Sequence, residues 1–169
     1  TVKTLSTIKV MGMEMEATTL EMAPNKSKAV QKIMGQEMVQ VFDGEKGYMM
    51  QACQRMDLPA PAIEEAKKKR LFEVLSYNAA DFKTVEKVTE EGKELYLLAG
   101  AGKKLYFDTK TNLLVKSTSD KGDMVILDYM EVDGIKFPKN LKLAMMGQNM
   151  EMTNNQVIVN KEVSAEDFK

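Results

Sequence analysis

The chain has 169 residues, 44% of them hydrophobic, with 24 Lys plus Arg against 25 Asp plus Glu and no histidine. The balanced charge gives no general pull toward polyanions, which excludes the electrostatics of a nucleic-acid binder. The missing histidine removes the usual base near neutral pH, the triad imidazole and the commonest zinc ligand together, so neither catalysis nor a cofactor is expected.

Taken in chain order, Met11-Gly12-Met13-Glu14-Met15 alternates apolar and polar residues, and Leu20 and Met22 carry the pattern to a turn at Ala23-Pro24-Asn25-Lys26. Strands are predicted over 28–34 and 37–42 around Gly35-Gln36. Phe42-Asp43-Gly44-Glu45-Lys46-Gly47 then turns into a short strand over 48–51. Cys53 has no disulfide partner and no activating base, so it reads as a small apolar filler. Leu58-Pro59-Ala60-Pro61 breaks the strand regime, and 62–77 is the predicted helix, with Pro61 where a first-turn proline is allowed. Leu71, Val74 and Leu75 in its second half are placed to dock on a sheet as a lid. Lys67-Lys68-Lys69-Arg70 reads as a solvated face paired with Glu64 and Glu65 rather than a phosphate site.

Strands resume over 83–89, 94–99, 104–107, 113–117, 124–132, 139–146 and 149–159, the last interrupted at Asn154-Asn155. Between them fall Glu91-Gly92, Gly100-Ala101-Gly102, the turn over 108–112, Asp120-Lys121-Gly122, Asp133-Gly134 and Gly147-Gln148. Asp133-Gly134 is the sharpest signal, because it supplies the positive φ angles of a two-residue hairpin turn between two alternating runs. The expected fold is mainly β, a strongly curved antiparallel sheet or half-barrel of about 10–12 strands. One main helix covers its concave face, since an open sheet this wide would otherwise expose an apolar side.

Gly100-Ala101-Gly102-Lys103 lacks a Gly-Lys-Ser/Thr motif and precedes a strand, so it is a turn and not a phosphate loop. Asp120, Asp123 and Asp128 lack calcium-loop spacing. No apolar run reaches the ~20 residues that span a bilayer, and no signal peptide is present. From the start at Thr1 we expect that an export signal or a preceding domain has been removed from a single domain over 1–169. The 15 methionines admit two readings, an adaptable apolar surface or ordinary core filling.

Several strings carry a family resemblance. They are Leu105-Tyr106-Phe107-Asp108-Thr109-Lys110-Thr111-Asn112-Leu113-Leu114-Val115-Lys116, Asp128-Tyr129, Val132-Asp133-Gly134-Ile135-Lys136-Phe137-Pro138 and the stretch from Asn160 to Asp167-Phe168. Together with Pro24-Asn25-Lys26 and Phe42-Asp43-Gly44, they resemble the LolA-like (Lol-type) outer-membrane lipoprotein-carrier superfamily. The resemblance is closest to lipoprotein-sorting-like domains of Bacteroidetes, some of which follow insulinase-type zinc peptidases. It departs from the family at the start, where the leading helix is missing before Val2-Lys3-Thr4-Leu5. The peptidase's zinc motif has no counterpart in a chain without histidine.

The resemblance implies a non-enzymatic carrier in the periplasm or cell envelope. Its concave apolar face would receive a lipid or a lipoprotein acyl chain, with no nucleic acid, metal or transmembrane segment involved. The cavity lining expected on that basis is Met11, Met13, Met15, Leu20, Met22, Met38, Phe42, Leu141, Leu143, Met145, Met150 and Met152, under a lid of Leu71, Val74 and Leu75. The alternative is an accessory module of a larger envelope protein, following a domain such as a zinc peptidase and filling its own sheet. An open cavity of a few hundred Å³ favours the carrier, and a packed face favours the module.

Overall fold

The computed structural model describes every residue except Met34, Ala101 and Met146, and every side chain in its helices and strands except that of Ser76. In chain order the strands are β1 (Val2–Val10), β2 (Met13–Met22), β3 (Lys26–Ile33), β4 (Gln36–Phe42), β5 (Gly47–Gln51) and β6 (Gln54–Asp57). After helix α1 (Ala60–Lys68) come β7 (Thr84–Glu90), β8 (Lys93–Gly100), β9 (Lys103–Asp108), β10 (Leu114–Ser119), β11 (Gly122–Val132), β12 (Ile135–Met145) and β13 (Gln148–Val159). Short 3₁₀ turns cover Glu73–Ser76, Ala79–Asp81 and Ala165–Phe168.

All 13 strands join one open sheet in the order β6-β5-β4-β3-β2-β1-β13-β12-β11-β10-β9-β8-β7. It consists of two meanders, β1 to β6 and β7 to β13, joined by the antiparallel pairing of β1 with β13. The hairpins follow from their turn residues. Val132 pairs with Ile135 across Asp133 (φ 51°) and Gly134 (φ 78°), the two consecutive positive φ angles of a primed turn.

Register shifts at Leu5/Ser6 against β13, around Asp128 against β12, and between Leu114 and Lys116 against β9 add bulges, which bend and twist the strands that carry them. The shift against β13 falls where Asn154-Asn155 interrupts the apolar pattern. Three predicted features end on residues outside the described ones: the strand over 28–34 at Met34, the strand over 139–146 at Met146, and the turn centred on Ala101.

Three expectations need correction. The strand β6 was not foreseen, because its hairpin turns on Ala52 (φ 48°) and Cys53 (φ 63°), residues that carry no turn signal. Cys53 is therefore exposed in that turn and is not an apolar filler. The helix is also shorter than 62–77: α1 stops at Lys68, Lys69 turns extended (ψ 142°), and the chain regains only a 3₁₀ turn at Glu73–Ser76. Arg70 holds that break, donating from Nη1 to the Lys67 carbonyl at 3.2 Å.

The break lets the connection between the meanders act as a strap. If the sheet were flat, its edge strands β6 and β7 would lie about 58 Å apart. The connection crosses one face of the sheet between them, with Glu65 of α1 paired to Lys121 in the β10–β11 turn and the residues after it meeting the strands from β2 to β8. Asn25 Nδ2 donates to the Lys67 carbonyl at 3.4 Å, and Lys69 Nζ lies 3.0 Å from Glu21 on β2. Leu71 and Phe72 pack against the core cluster of Val2, Val157 and Val159, with Phe72 and Phe137 ring centroids 6.1 Å apart.

Further along, Tyr77 meets Phe107 of β9 edge-on at 6.4 Å, and the Lys83 amide donates to the Ala99 carbonyl at 2.9 Å. Gly100 is required beneath the end of the strap, where a Cβ would stand 2.0 Å from the Asp81 carbonyl oxygen. On the opposite face, Phe168 of the last 3₁₀ turn and Val41 of β4 are both 1% exposed.

Coverage of the sheet is incomplete. The molecule exposes 11016 Å², against roughly 8,400 Å² for a compact monomer of 19.0 kDa.

Candidate ligand-binding cavity

Between the strap and the sheet lies a cavity of about 500 Å³, bordered by residues of seven strands, β2, β1, β13, β12, β11, β10 and β9. Seven flat strands would span about 29 Å, yet residues from all seven border one space together with the strap, as a curved sheet allows. Leu141, Met152, Ile126 and Phe107 form its sheet side, and Leu71 and Val74 come from the strap. The lining is mainly apolar, which suits a ligand held by dehydration rather than by charge.

The polar groups at its border are mostly engaged. Asn154, 9% exposed, accepts a hydrogen bond from the Ser6 hydroxyl at 2.7 Å and donates from Nδ2 to the Pro138 carbonyl at 2.7 Å. The Tyr129 hydroxyl donates to the Leu114 carbonyl at 2.5 Å. Burial, followed by the nearby Glu73 carboxylate, pushes the Tyr129 hydroxyl up to about 12. The same two causes, in the same order, raise Tyr77. Both hydroxyls therefore stay neutral over any ordinary pH. Glu21 is paired with Lys69, and Lys136 with Glu131. Among the described residues, no group of three or more Cys, Asp or Glu side chains is gathered to hold a metal ion.

The register places each residue anticipated from the sequence. Val2 and Thr4 border the cavity, so the even positions of β1 face inward. Their cross-strand partners put Met13 and Met15 of β2, and Met150 and Met152 of β13, on that inner face. Leu141, Leu143 and Met145 of β12 follow from β13, and Met38 and Phe42 of β4 follow through β3. Leu20 and Met22 differ in parity from Met13 and Met15 in an unbroken register, so they lie on the outer face.

Of this set, Leu141 and Met152 border the cavity, as do Leu71 and Val74 from the strap. Phe42 is 1% exposed in the solid part of the fold, whereas Met11 stands 78% exposed in the β1–β2 turn. Met38 borders a separate shallow groove beside Ile33. Leu75 is 66% exposed, and Val74, though at the cavity mouth, is 63% exposed.

Phe72, Tyr77, Phe107, Ile126 and Tyr129 also border the cavity and were not anticipated. Ile126 and Tyr129 differ in parity along β11, and only the bulge at Asp128 turns both inward. A sequence pattern of strict period two misses one of such a pair.

No protein-family profile matches the chain, and no curated protein does. Among solved structures, it is similar to a domain from Vibrio parahaemolyticus assigned by name to outer membrane lipoprotein sorting. The TM-score is 0.67 at 9% identity, over 99% of this chain and 88% of that one. It is also similar to a DUF1329 family protein from Desulfovibrio piger, with a TM-score of 0.59 at 9% identity over the same shares. The fold is thus shared with both of these proteins. At this identity the likeness speaks for the fold.

Proposed function

We propose that this protein is a non-enzymatic binding or carrier domain of the cell envelope that holds a lipid or lipoprotein acyl chain between its curved sheet and the strap. The carrying observation is the apolar cavity of about 500 Å³, inside the ~300–1,000 Å³ range of small-molecule sites. A self-filled accessory module would leave no such space. Burying ten methylenes there is worth about 8 kcal/mol at ~0.8 kcal/mol each, which binds usefully even after the ordering cost of association. The likeness to a domain named for lipoprotein sorting agrees with this chemistry. Residues 1–169 act as one unit in this reading, because the β1–β13 pairing brings both meanders to the same cavity.

Displacement of a fluorescent fatty acid tests the proposal. Met152→Glu puts a charge in the lining and abolishes binding, whereas Val85→Glu on the edge strand β7, where the side chain is 68% exposed, leaves it intact. Full binding by folded Met152→Glu would contradict the assignment.

A further inference from the structure

The apolar lining does not stop at the cavity. Ile8, Met152, Leu141 and Ile126 are cross-strand neighbours in one row, and Met15 extends that row onto β2. One row further along the strands, about 7 Å away, lie Met13, Val10, Met150, Leu143 and Met124 on the same face. Met124 and Met152 border the cavity itself, so the outer row is its direct continuation. Among the described residues, Met13 and Met145 remain 47% and 41% exposed, and Met11 beyond them is 78% exposed. Leu71 and Phe72 of the strap pack over the other half of the sheet, around Val2 and Phe137, while α1 reaches this end through the Glu65–Lys121 ion pair and Met13 of the row stays exposed.

The two ends of the trough differ in polarity. On the Val2 side the border carries Glu21 paired with Lys69, and Lys136 paired with Glu131. An apolar chain leaving on that side would have to pass ion pairs at the cavity border itself, while on the methionine side thioethers and aliphatic groups come first, with Gln148 and the Glu65–Lys121 pair beyond them. Methionine's unbranched side chain can also re-pack around a flexible guest.

Building on the carrier reading above, we propose that the row Met13, Val10, Met150, Leu143 and Met124 is a second segment of the binding site. It holds the far end of a long unbranched acyl chain whose nearer part fills the cavity. The protein accordingly selects for chain length, and the methionine row carries that selectivity.

The test compares the affinities of decanoate and stearate for the wild-type protein and for the Met13→Ser/Met150→Ser double variant, by isothermal calorimetry. A fully buried methylene is worth about fourfold in affinity. The expected result is that wild-type protein prefers stearate, and that the variant binds decanoate as before while its stearate preference falls by about tenfold or more. An unchanged preference, or an equal loss for both ligands, would overturn the second segment while leaving the carrier reading in place. A wild-type protein that binds neither ligand would remove the carrier reading and this inference together. If thermal denaturation shows the double variant unfolded, Met13→Ser alone is read in the same way, because a side chain 47% exposed at the start of β2 is not needed for folding. Met13→Leu should restore the preference, and a Leu20→Ser variant on the outer face of the same strand should leave it unchanged.

Discussion

Single residues decide this fold at a few backbone positions. Gly134 adopts φ 78° with nothing within 4 Å of where a Cβ would sit, so a substitution there meets backbone strain and no clash. Gly134→Val is expected to destabilise the protein by about 1–3 kcal/mol, read as a lower urea midpoint with unchanged slope. An unchanged midpoint would show that the turn relaxes at no cost. Tyr129 makes a second residue-level prediction. Its hydroxyl titrates near 10 in an unfolded chain and at about 12 in the fold, so the native state holds the proton more tightly. That contribution is fully present below pH ~10 and is lost as the pH rises through the folded value. Stability should therefore fall between about pH 10 and 12, and Tyr129→Phe should flatten the fall. A variant whose alkaline slope matches wild type would contradict it.

At the scale of elements, most strands were legible in the sequence, whereas β6 and the strap were not. Alternation and Asp-Gly chemistry mark β11 and β12 because each residue's face follows from its parity, and the Asp133-Gly134 turn pins the register. Parity fails where bulges intervene, as at Asp128, so no single parity places Ile126 and Tyr129 together, and neither was foreseen. The helical spacing of Leu71, Val74 and Leu75 suggested a continuous helix. Instead, packing of Leu71 and Phe72 onto Val2 and Phe137 pulls the chain extended after Lys69, a tertiary effect that no local propensity records.

The same strap depends on Gly100, where a Cβ would meet the Asp81 carbonyl oxygen at 2.0 Å and the Phe82 Cα at 2.8 Å. Both obstacles are backbone. Gly100→Ala is expected to cost about 1–3 kcal/mol by overpacking and to raise amide hydrogen exchange over residues 77–83. Unchanged exchange there would show that this end of the strap is not anchored on β8.

For the whole molecule, the excess of exposed surface and the cavity beneath the strap are one property: a sheet of 13 strands too broad for its single covering segment to fill. The methionines admitted both adaptable surface and core filling, and their positions now divide between the two faces. Met13, Met15, Met150 and Met152 lie inward, and Met22 lies outward. The sequence could point to a curved sheet with an apolar side. It could not say how much of that side the chain would cover, because coverage depends on where a break in one helix sends the strap.

Native mass spectrometry of protein purified without denaturants measures this most directly. The account predicts a population heavier than the polypeptide by the mass of a lipid or fatty acid, which is released on denaturation and absent from Met152→Glu. A wild-type protein found only at the polypeptide mass, and still so after incubation with excess fatty acid, would contradict it.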